Sequence, residues 1–233
     1  MRVSRPLCGA VLAAGAGSRA GGPKALRRGP EGVPWLVAAC ERLQAAGCDP
    51  VYAVLGAAAA DAARLVPGYA RPLVVADWAQ GASRSLRAAL DAAERGGAVA
   101  LAITLVDVPA ESPDALRRLI AAAEQLPGGL ADALVRAGYD GRPGHPVLIG
   151  RTHWSRLAGE LQGDSGARAY LHRNGALTVE CADLGSGSDV DGPEDPAERT
   201  DRGHARAEGL GAHADAPASG GSAPAAPASP ASS

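Results

Sequence analysis

Short apolar segments alternate with segments of helical period through residues 6–199, and this alternation is the strongest constraint on the fold. Apolar runs bounded by glycine or turn residues are typical of buried strands, whereas apolar residues three and four apart are typical of helices. Strands that alternate with helices favour a parallel sheet that is covered by helices on both faces. We therefore predict an α/β fold with a single doubly wound, mostly parallel sheet in one domain.

The apolar runs predict seven strands, at Leu7–Ala14, Val51–Leu55, Leu73–Val75, Ala98–Val106, Asp132–Val135, Pro146–Ile149 and Leu177–Val179. Helices are predicted at 35–46, at 57–66, around Leu86–Ala93, after the Ser112-Pro113-Asp114 cap, at His153–Leu161 and at Gly166–Arg173. Ligands of such sheets bind at the carboxyl ends of the strands. The binding site is therefore expected where strands end, from Gly15, Asp77 and Asp107 onward.

The composition excludes several classes of protein. A formal net charge of -2 gives no electrostatic basis for binding nucleic acid or an acidic membrane surface. No apolar run approaches the ~18 residues of a transmembrane helix, and the N-terminus lacks the apolar core of a signal peptide. The four cysteines form no C-x-x-C pair, which favours buried free thiols in a reducing compartment. We expect no nucleic-acid partner, no membrane association and a cytoplasmic location.

The composition changes near Thr200. From there to Ser233 the chain is rich in Pro, Ala, Ser and Gly, with one Leu and no aromatic residue. Such a segment cannot bury enough apolar surface to offset the entropy lost on ordering. We predict a folded domain over residues 1–200 and a disordered tail over 201–233.

The first predicted strand runs into a glycine-rich segment, LAAGAGSRAGGPKAL, at Leu12–Leu26. Its glycines and cations are Gly15, Gly17, Gly21, Gly22, Arg19 and Lys24. Glycine lets backbone N–H groups approach phosphates closely. The two cations would neutralise a triphosphate and the charge that develops as pyrophosphate leaves.

Two other interpretations of this loop stay open at this point. One is a flexible loop with two solvated cations. The other is a dinucleotide fingerprint, since Gly15-x-Gly17-x-x-Ala20 fits the permissive G-x-G-x-x-G/A form. That fingerprint expects an acidic residue at the end of the second strand, but Val51–Leu55 is followed by Gly56 and alanines. A Walker A pattern is excluded, because no G-K-[ST] follows.

The pattern L-A-A-G-x-x-x-R-x-G-x-x-K resembles the signature loop of the cytidylyl- and guanylyltransferase superfamily with the MobA-like fold. The residues in register are Leu12, Ala13, Ala14, Gly15, Arg19, Gly21 and Lys24. The resemblance implies that these residues and Gly17 bind a nucleotide, with Arg19 and Lys24 also acting in catalysis. DWAQGASRSL at Asp77–Leu86 resembles W-x-x-G-x-S-x-S-L of the same family, which implies that Gly81, Ser83 and Ser85 lie near base and ribose. A helix N-cap is an alternative role for Ser83.

Two acidic segments complete the resemblance. LVDVP at Leu105–Pro109 is similar to the family's L-x-D-x-P, whose aspartate, here Asp107, binds Mg²⁺. An apolar strand that delivers one carboxylate to its carboxyl end independently favours a ligand role, because an unpaired buried carboxylate is costly. DVDGPED at Asp189–Asp195 is similar to D-x-D-T-P-E-D, which makes Asp191 the second Mg²⁺ ligand. Gly192 stands where threonine is usual, so one hydroxyl is missing.

The segments DGRPGHPVLIGR at Asp140–Arg151 and GDSGAR at Gly163–Arg168 resemble the molybdenum cofactor cytidylyltransferase branch. They imply an acceptor site with His145, Asp164 and Arg168, although a structural ion pair between Asp164 and Arg168 is equally open. No ligand cluster surrounds His145, so zinc binding is disfavoured.

The family implies a Mg²⁺-dependent transfer of CMP from CTP to the phosphate of a molybdopterin-type acceptor, after which a molybdoenzyme receives the product. The domain over residues 1–200 is then a nucleotidyltransferase domain. The alternatives are another NTP such as GTP, a sugar or alcohol phosphate acceptor, a nicotinamide-dinucleotide oxidoreductase, and a non-catalytic cofactor carrier.

Overall fold

A computed structural model describes residues 7–18 and 21–189 of the chain. All of them belong to one compact unit, Met1–Pro193. Arg19, Asp191, Gly192 and the predicted tail at 201–233 lie outside the described residues.

The described strands form one seven-stranded sheet. They are β1 Leu7–Ala13, β2 Val51–Leu55, β3 Ala70–Val74, β4 Ala100–Leu105, β5 Leu134–Tyr139, β6 Arg142–Gly150 and β7 Leu177–Glu180. Their order across the sheet is β3-β2-β1-β4-β6-β5-β7. Strand β6 runs antiparallel to β4 and β5, and the remaining neighbours pair in parallel. The predicted α/β fold with a mostly parallel sheet is confirmed.

Helices cover both faces of the sheet. They are α1 Trp35–Ala45, α2 Ala59–Ala63, α3 Ala82–Arg95, α4 Pro113–Glu124, α5 Trp154–Glu160 and α6 Arg168–Arg173. One core contains Leu36 and Leu43 of α1 with Leu116 of α4, and a second contains Leu90 of α3 with Leu157 of α5. Each fully buried Leu contributes about 1.5–3 kcal/mol relative to an exposed one. Aliphatic side chains therefore supply most of the core of a chain that has no Phe.

The sheet brings the predicted site segments together. Leu12 near the end of β1 pairs with Leu105 at the end of β4, and Ala13 pairs with Leu55 at the end of β2. The glycine loop and the turn that carries Asp107 therefore leave the same edge of the sheet side by side, as expected for parallel strands.

Several predicted boundaries were wrong. The strand predicted at Asp132–Val135 begins only at Leu134, because Gly129–Asp132 forms a 3-10 helix. The strand predicted at Pro146–Ile149 is the much longer β6. Asp140 and Gly141, with φ of 51° and 76°, join β5 and β6 in a tight hairpin, since an Asp-Gly pair accepts two left-handed conformations.

Other predicted boundaries differ from the structure by smaller amounts. Strand β3 begins three residues before the predicted Leu73, because Arg71 and Pro72 face solvent on an edge strand and leave no apolar signal. The helix predicted at 57–66 is limited to α2. The predicted cap of α4 is confirmed, since the Ser112 hydroxyl accepts a hydrogen bond from the Asp114 N–H at 3.2 Å.

In the part of the chain that the structure describes, no helix is long and apolar enough to cross a membrane.

Candidate active site

The glycine loop that follows β1 closes on itself. The Gly22 N–H donates to the Gly17 carbonyl oxygen at 3.1 Å. Gly17 has a φ of 59°, and a Cβ on this residue would lie 2.0 Å from the Gly22 oxygen. Gly21 is also left-handed, with a φ of 77°. Only glycine therefore allows this closed turn at position 17.

Lys24 leaves the loop and meets the residue that follows β4. Its Nζ lies 2.7 Å from Oδ2 of Asp107, and both side chains are largely buried, with exposed fractions of 15% and 17%. Lys24 begins a short 3-10 helix, Lys24–Leu26, whose Ala25 is buried and anchors the segment. The loop cation and the predicted metal carboxylate thus converge at one point, where a charge-assisted hydrogen bond is stronger than a neutral one.

A first cleft of about 350 Å³ lies at the same edge of the sheet, where Leu12 of β1 and Leu105 of β4 line it, although Lys24 and Asp107 do not. Its lining includes five of the predicted nucleotide-binding residues: Leu12, Ala14, Gly15, Gly81 and Ser85. Ala13 is buried in the sheet, with an exposed fraction of 4%. Ser83 is also buried, but it lines a neighbouring cavity with Arg84 and Arg87. The alternative that Ser83 caps the helix is wrong, because Gly81 is the N-cap of α3 and no side chain caps it.

A second cleft of about 390 Å³ adjoins the first and shares Leu12, Ala82, Leu105 and Asp164 with it. All three predicted acceptor residues line it: His145, Asp164 and Arg168. The described ion pairs include none between Asp164 and Arg168, so the structural interpretation of that pair is not supported. The site is thus two connected clefts, with Asp164 on the wall between them.

His145 is held between the sheet and the second cleft. Its Nδ1 lies 3.3 Å from the Ile103 oxygen, and its own carbonyl oxygen accepts from the Tyr139 hydroxyl at 2.8 Å. Burial lowers the pKa of His145, while the backbone hydrogen bond and the nearby charges of Asp107 and Asp189 act in the opposite direction. A lowered pKa favours the neutral imidazole near neutral pH.

The residues present suit a divalent cation bound together with phosphate. Among the described residues, no group of three His, Cys, Asp or Glu side chains is arranged to hold a metal by itself. Magnesium takes one or two protein carboxylates when phosphate oxygens supply other ligands. Asp107 offers one carboxylate, and Asp189 lies close enough to act on His145 electrostatically. The predicted second ligand, Asp191, follows two residues later, outside the described part.

Sequence reasoning missed Arg136, which lines the second cleft. It lies on β5 opposite Val147 of β6, and its Nε donates to the Thr178 hydroxyl at 2.9 Å. This hydrogen bond orients the guanidinium in the wall of the cleft. An arginine inside an otherwise apolar strand, LVRAGY, is the signal that identifies it in the sequence, because charged side chains are rarely placed in strands that are buried on both faces.

Gly81 packs closely against the backbone of Gly163, the residue before Asp164, which lines both clefts. It has a φ of 119°, and a Cβ there would lie 2.2 Å from the Gly163 oxygen. The next turn of chain adds a hydrogen bond from the Ser83 N–H to the same oxygen, at 3.0 Å. The segment that starts the GDSGAR motif is therefore fixed to the first turn of α3.

Replacing Gly81 with Ala should lower the free energy of unfolding by about 1–3 kcal/mol, because the new Cβ meets backbone and the left-handed φ is strained. It should also lower activity, since the neighbouring Ala82 and Asp164 line both clefts and would be displaced. Chemical denaturation and steady-state kinetics measure these effects. Gly68→Ala is the matched control, because no atom lies within 4 Å of its Cβ position. Equal behaviour of the two variants would contradict the assigned contact.

A buried carboxyl that sequence reasoning also missed lies beneath the Asp107 turn. Glu111 has an exposed fraction of 5%, and its carboxylate accepts a hydrogen bond from the Thr104 hydroxyl. Burial raises the pKa of Glu111 to about 7, although this hydrogen bond and the charge of Arg42 act in the opposite direction. Between about pH 4.5 and pH 7, the folded protein therefore keeps a proton on Glu111. The unfolded chain, in which this carboxyl has the ordinary pKa of 4.5, has lost that proton.

Stability should respond to pH with a definite sign. The contribution of the protonated Glu111 is fully present below about pH 4.5 and is lost as the pH rises through about 7. From about pH 5 to about pH 8, wild type should therefore lose on the order of 3 kcal/mol relative to Glu111→Gln. Urea denaturation across this range measures the difference, with the exposed Glu124→Gln as control. A constant difference between wild type and Glu111→Gln would exclude a raised pKa.

The fold and the site define the class of the protein: it is an α/β nucleotidyltransferase, with a glycine loop, a lysine and a carboxylate at the carboxyl ends of adjacent parallel strands. Residues 9–178 match the MobA-like NTP transferase domain. The chain belongs to this family.

The proteins to which this chain is similar carry different names. The chain is 36% identical over 191 residues to nicotine blue oxidoreductase of Paenarthrobacter nicotinovorans, covering 78% of this chain and 91% of that protein. The crystal structure of Rv0371c from Mycobacterium tuberculosis H37Rv is similar with a TM-score of 0.66 and 28% identity, covering 86% of this chain and 98% of the other. A complex of Rv0371c with manganese gives a TM-score of 0.60 at 28% identity, covering 84% and 97%.

Proposed function

We propose that this enzyme transfers CMP from CTP to the terminal phosphate of a molybdopterin-type acceptor, with Mg²⁺ as the metal. The observation that carries the proposal is the contact of 2.7 Å between Lys24 and Asp107, just beyond the strand ends whose Leu12 and Leu105 line both clefts. A phosphate-binding cation and a metal-binding carboxylate are needed at the same place, where the nucleotide and the acceptor meet.

The two clefts suit the two substrates. The first is lined by small residues and backbone from Ala14, Gly15 and Gly81, which leaves room for a base and ribose. The second has an apolar floor and several polar groups around it, including Arg136, Arg168 and His145. An acceptor with a flat organic body and an anionic group matches this distribution, because apolar walls bind the body and a few polar groups orient it.

The chemistry needs no covalent enzyme intermediate. An oxygen of the acceptor phosphate attacks the α-phosphorus of CTP and forms a new P–O–P linkage. The bond from the α-phosphorus to the bridging oxygen breaks, and its electron pair leaves with pyrophosphate. The acceptor phosphate is already ionised at neutral pH, so a general base is not required. Lys24, together with Arg19, neutralises the charge that builds on the leaving group.

A divalent cation held by Asp107 and Asp191 would supply charge neutralisation and alignment of the phosphate oxygens. The protein residues contribute positioning: the hydrogen bond from the Gly22 N–H to the Gly17 oxygen closes the loop, and Lys24 is held against Asp107. Most of the rate gain in such a reaction comes from holding the two reactants in line.

The product, a pterin–cytosine dinucleotide, is expected to pass to a molybdoenzyme. Cys8, Cys40, Cys48 and Cys181 are buried free thiols, which supports the proposed cytoplasmic location, because thiols stay reduced there.

Pyrophosphate release measured with each of the four NTPs tests the base and the acceptor together. Purified protein with molybdopterin cofactor should release pyrophosphate fastest with CTP. Faster release with GTP would change the nucleotide, and release with a sugar or alcohol phosphate but not with the pterin would change the acceptor. Pyrophosphate release over many turnovers would exclude a non-catalytic carrier.

A second candidate function comes from the relative whose name is nicotine blue oxidoreductase. A nicotinamide dinucleotide would need an acidic group near the end of β2 to hold its ribose. Gly56 stands there, and a Cβ on it would lie 2.6 Å from both the Ala14 oxygen and Trp78. No side chain fits at that position, which disfavours the dinucleotide interpretation. Titration of the protein with NADH, followed by fluorescence, decides between the two, and micromolar binding would favour the oxidoreductase.

A further inference from the structure

Three polar side chains surround the turn that carries Asp107, without reaching the clefts. Thr104, on β4, is fully buried, and Glu111 is buried where the turn ends. Their side chains are hydrogen-bonded to each other across the turn. Arg42 reaches in from α1, and its Nη2 donates to the Val108 oxygen at 3.2 Å.

These contacts close the turn from both ends. The Glu111 N–H donates to the Val108 oxygen at 3.4 Å, so the same oxygen receives the Arg42 guanidinium and the backbone of Glu111. The Val106 N–H donates to the Leu12 oxygen at 3.3 Å and keeps the start of the turn on the sheet. Asp107 therefore stands between two residues, Val106 and Val108, whose backbones are both fixed.

A buried polar network of this kind costs free energy of folding. Its presence is explained by a role that apolar residues cannot fill. Burying a carboxyl and a guanidinium removes both from water. Within the described part of the chain, Nε of Arg42 is buried with no hydrogen-bond partner, so the arginine is not fully compensated. A packed apolar turn would avoid this cost, but it would leave the Val108 oxygen and the direction of Asp107 less defined.

We propose that Glu111, Thr104 and Arg42 are positioning residues that set the orientation of the Asp107 carboxylate toward a divalent metal bound with the nucleotide. The inference rests on the proposed function in one respect, the assignment of Asp107 as a metal ligand. Partners behind metal-binding groups typically change metal affinity or activity by 10–100-fold when they are removed.

Binding of Mn²⁺ in the presence of CTP, measured by electron paramagnetic resonance without any acceptor, tests the proposal. Glu111→Ala and Thr104→Val should each weaken Mn²⁺ binding by about tenfold or more. Glu111→Gln keeps the size of the side chain and a partner for Thr104, so it should retain most of the affinity. Arg42→Met should resemble Glu111→Ala, because the Val108 oxygen then loses its side-chain donor.

Steady-state kinetics extend the test. The same variants should need more Mg²⁺ for half-maximal rate and show a lower kcat, with KM for CTP changed by less than about twofold, because the ligand orientation and not the nucleotide cleft is altered. The control is Ile149→Val, a substitution of a fully buried core residue on β6 that loses stability only. Thermal melts establish that each variant is folded.

The outcomes separate the two levels of the account. Wild-type Mn²⁺ affinity in folded Glu111→Ala overturns the positioning role, and so does an equal loss in Ile149→Val. Wild-type protein that binds Mn²⁺ with CTP but transfers CMP to no acceptor overturns the proposed function and leaves the positioning role standing.

Discussion

Replacing Lys24 with Ala should lower kcat by about two orders of magnitude or more, the effect of losing one positioned group that stabilises developing charge. Lys24 lies 2.7 Å from Asp107 and is largely buried, so its charge acts in a region with little screening by water. The charge matters most as pyrophosphate departs. Interactions that strengthen in the transition state appear in kcat, and CTP binding should therefore weaken less than turnover.

The measurement is steady-state kinetics with calorimetric CTP titration of the Lys24→Ala protein, and a thermal melt shows that it is folded. Arg28→Ala is a suitable control, because this cation, four residues along the chain, is exposed and donates to the Gly32 oxygen at 2.6 Å. A folded Lys24→Ala protein with full kcat would contradict the catalytic role of Lys24 and of the glycine loop. In the dinucleotide interpretation, and in that of a flexible loop, the same substitution should have no kinetic effect.

Replacing Asp107 with Ala should lower activity by about 100-fold or more, since in the proposed mechanism the carboxylate orients the metal–triphosphate complex. If Asp191 binds the same metal, Asp191→Ala should have a similar effect. The double variant should then lose far less than the product of the two single effects, because residues that act as a unit are not additive.

Asp91→Ala is the control for the loss of a carboxylate, since Asp91 is exposed on α3 and lies away from both clefts. Metal titrations should show that excess Mg²⁺ or Mn²⁺ restores part of the activity of the single variants. Turnover near that of wild type in Asp107→Ala would contradict the metal assignment.

The strands that position the site were the predictable part of the fold. Strands β1, β2 and β4 are buried on both faces, so their sequences are continuous apolar runs, and predictions made from them agree with the structure within about two residues. The β5–β6 hairpin was less predictable. Its sequence DGRPGHP contains the residues that usually break strands, although the Asp-Gly pair is itself a strong hairpin signal.

The candidate site also contains residues that the sequence predicts and residues that it does not. Residues close together in the sequence, such as the glycines of the loop and Lys24, were found from their pattern, and Asp107 was found because it ends an apolar strand. Arg136 is marked in the sequence only as one charge within an apolar strand, and Glu111 carries no local pattern. Only the pairing of β5 with β6, and the closing of the turn after β4, bring them to the second cleft and the Asp107 turn.

The contact between Gly81 and Gly163 could not be predicted from the sequence either. The sequence places Gly81 and Gly163 far apart, in two separate motifs. Their contact requires glycine at position 81, where a Cβ would lie 2.2 Å from the Gly163 oxygen, and Gly163 itself has a left-handed φ of 50°. Such a contact between distant backbones leaves no periodic signal, although both glycines are visible as residues in their motifs.

The fate of the α-phosphorus of CTP tests the central claim most directly. Wild-type protein is incubated with molybdopterin cofactor and Mg²⁺, using CTP labelled at the α-phosphorus in one sample and at the γ-phosphorus in another, and the products are separated and identified by mass. The account predicts α-label in a pterin–cytosine dinucleotide and γ-label only in pyrophosphate. Label from the γ-phosphorus in the pterin product, or a pterin that gains no nucleotide from any NTP, would contradict it.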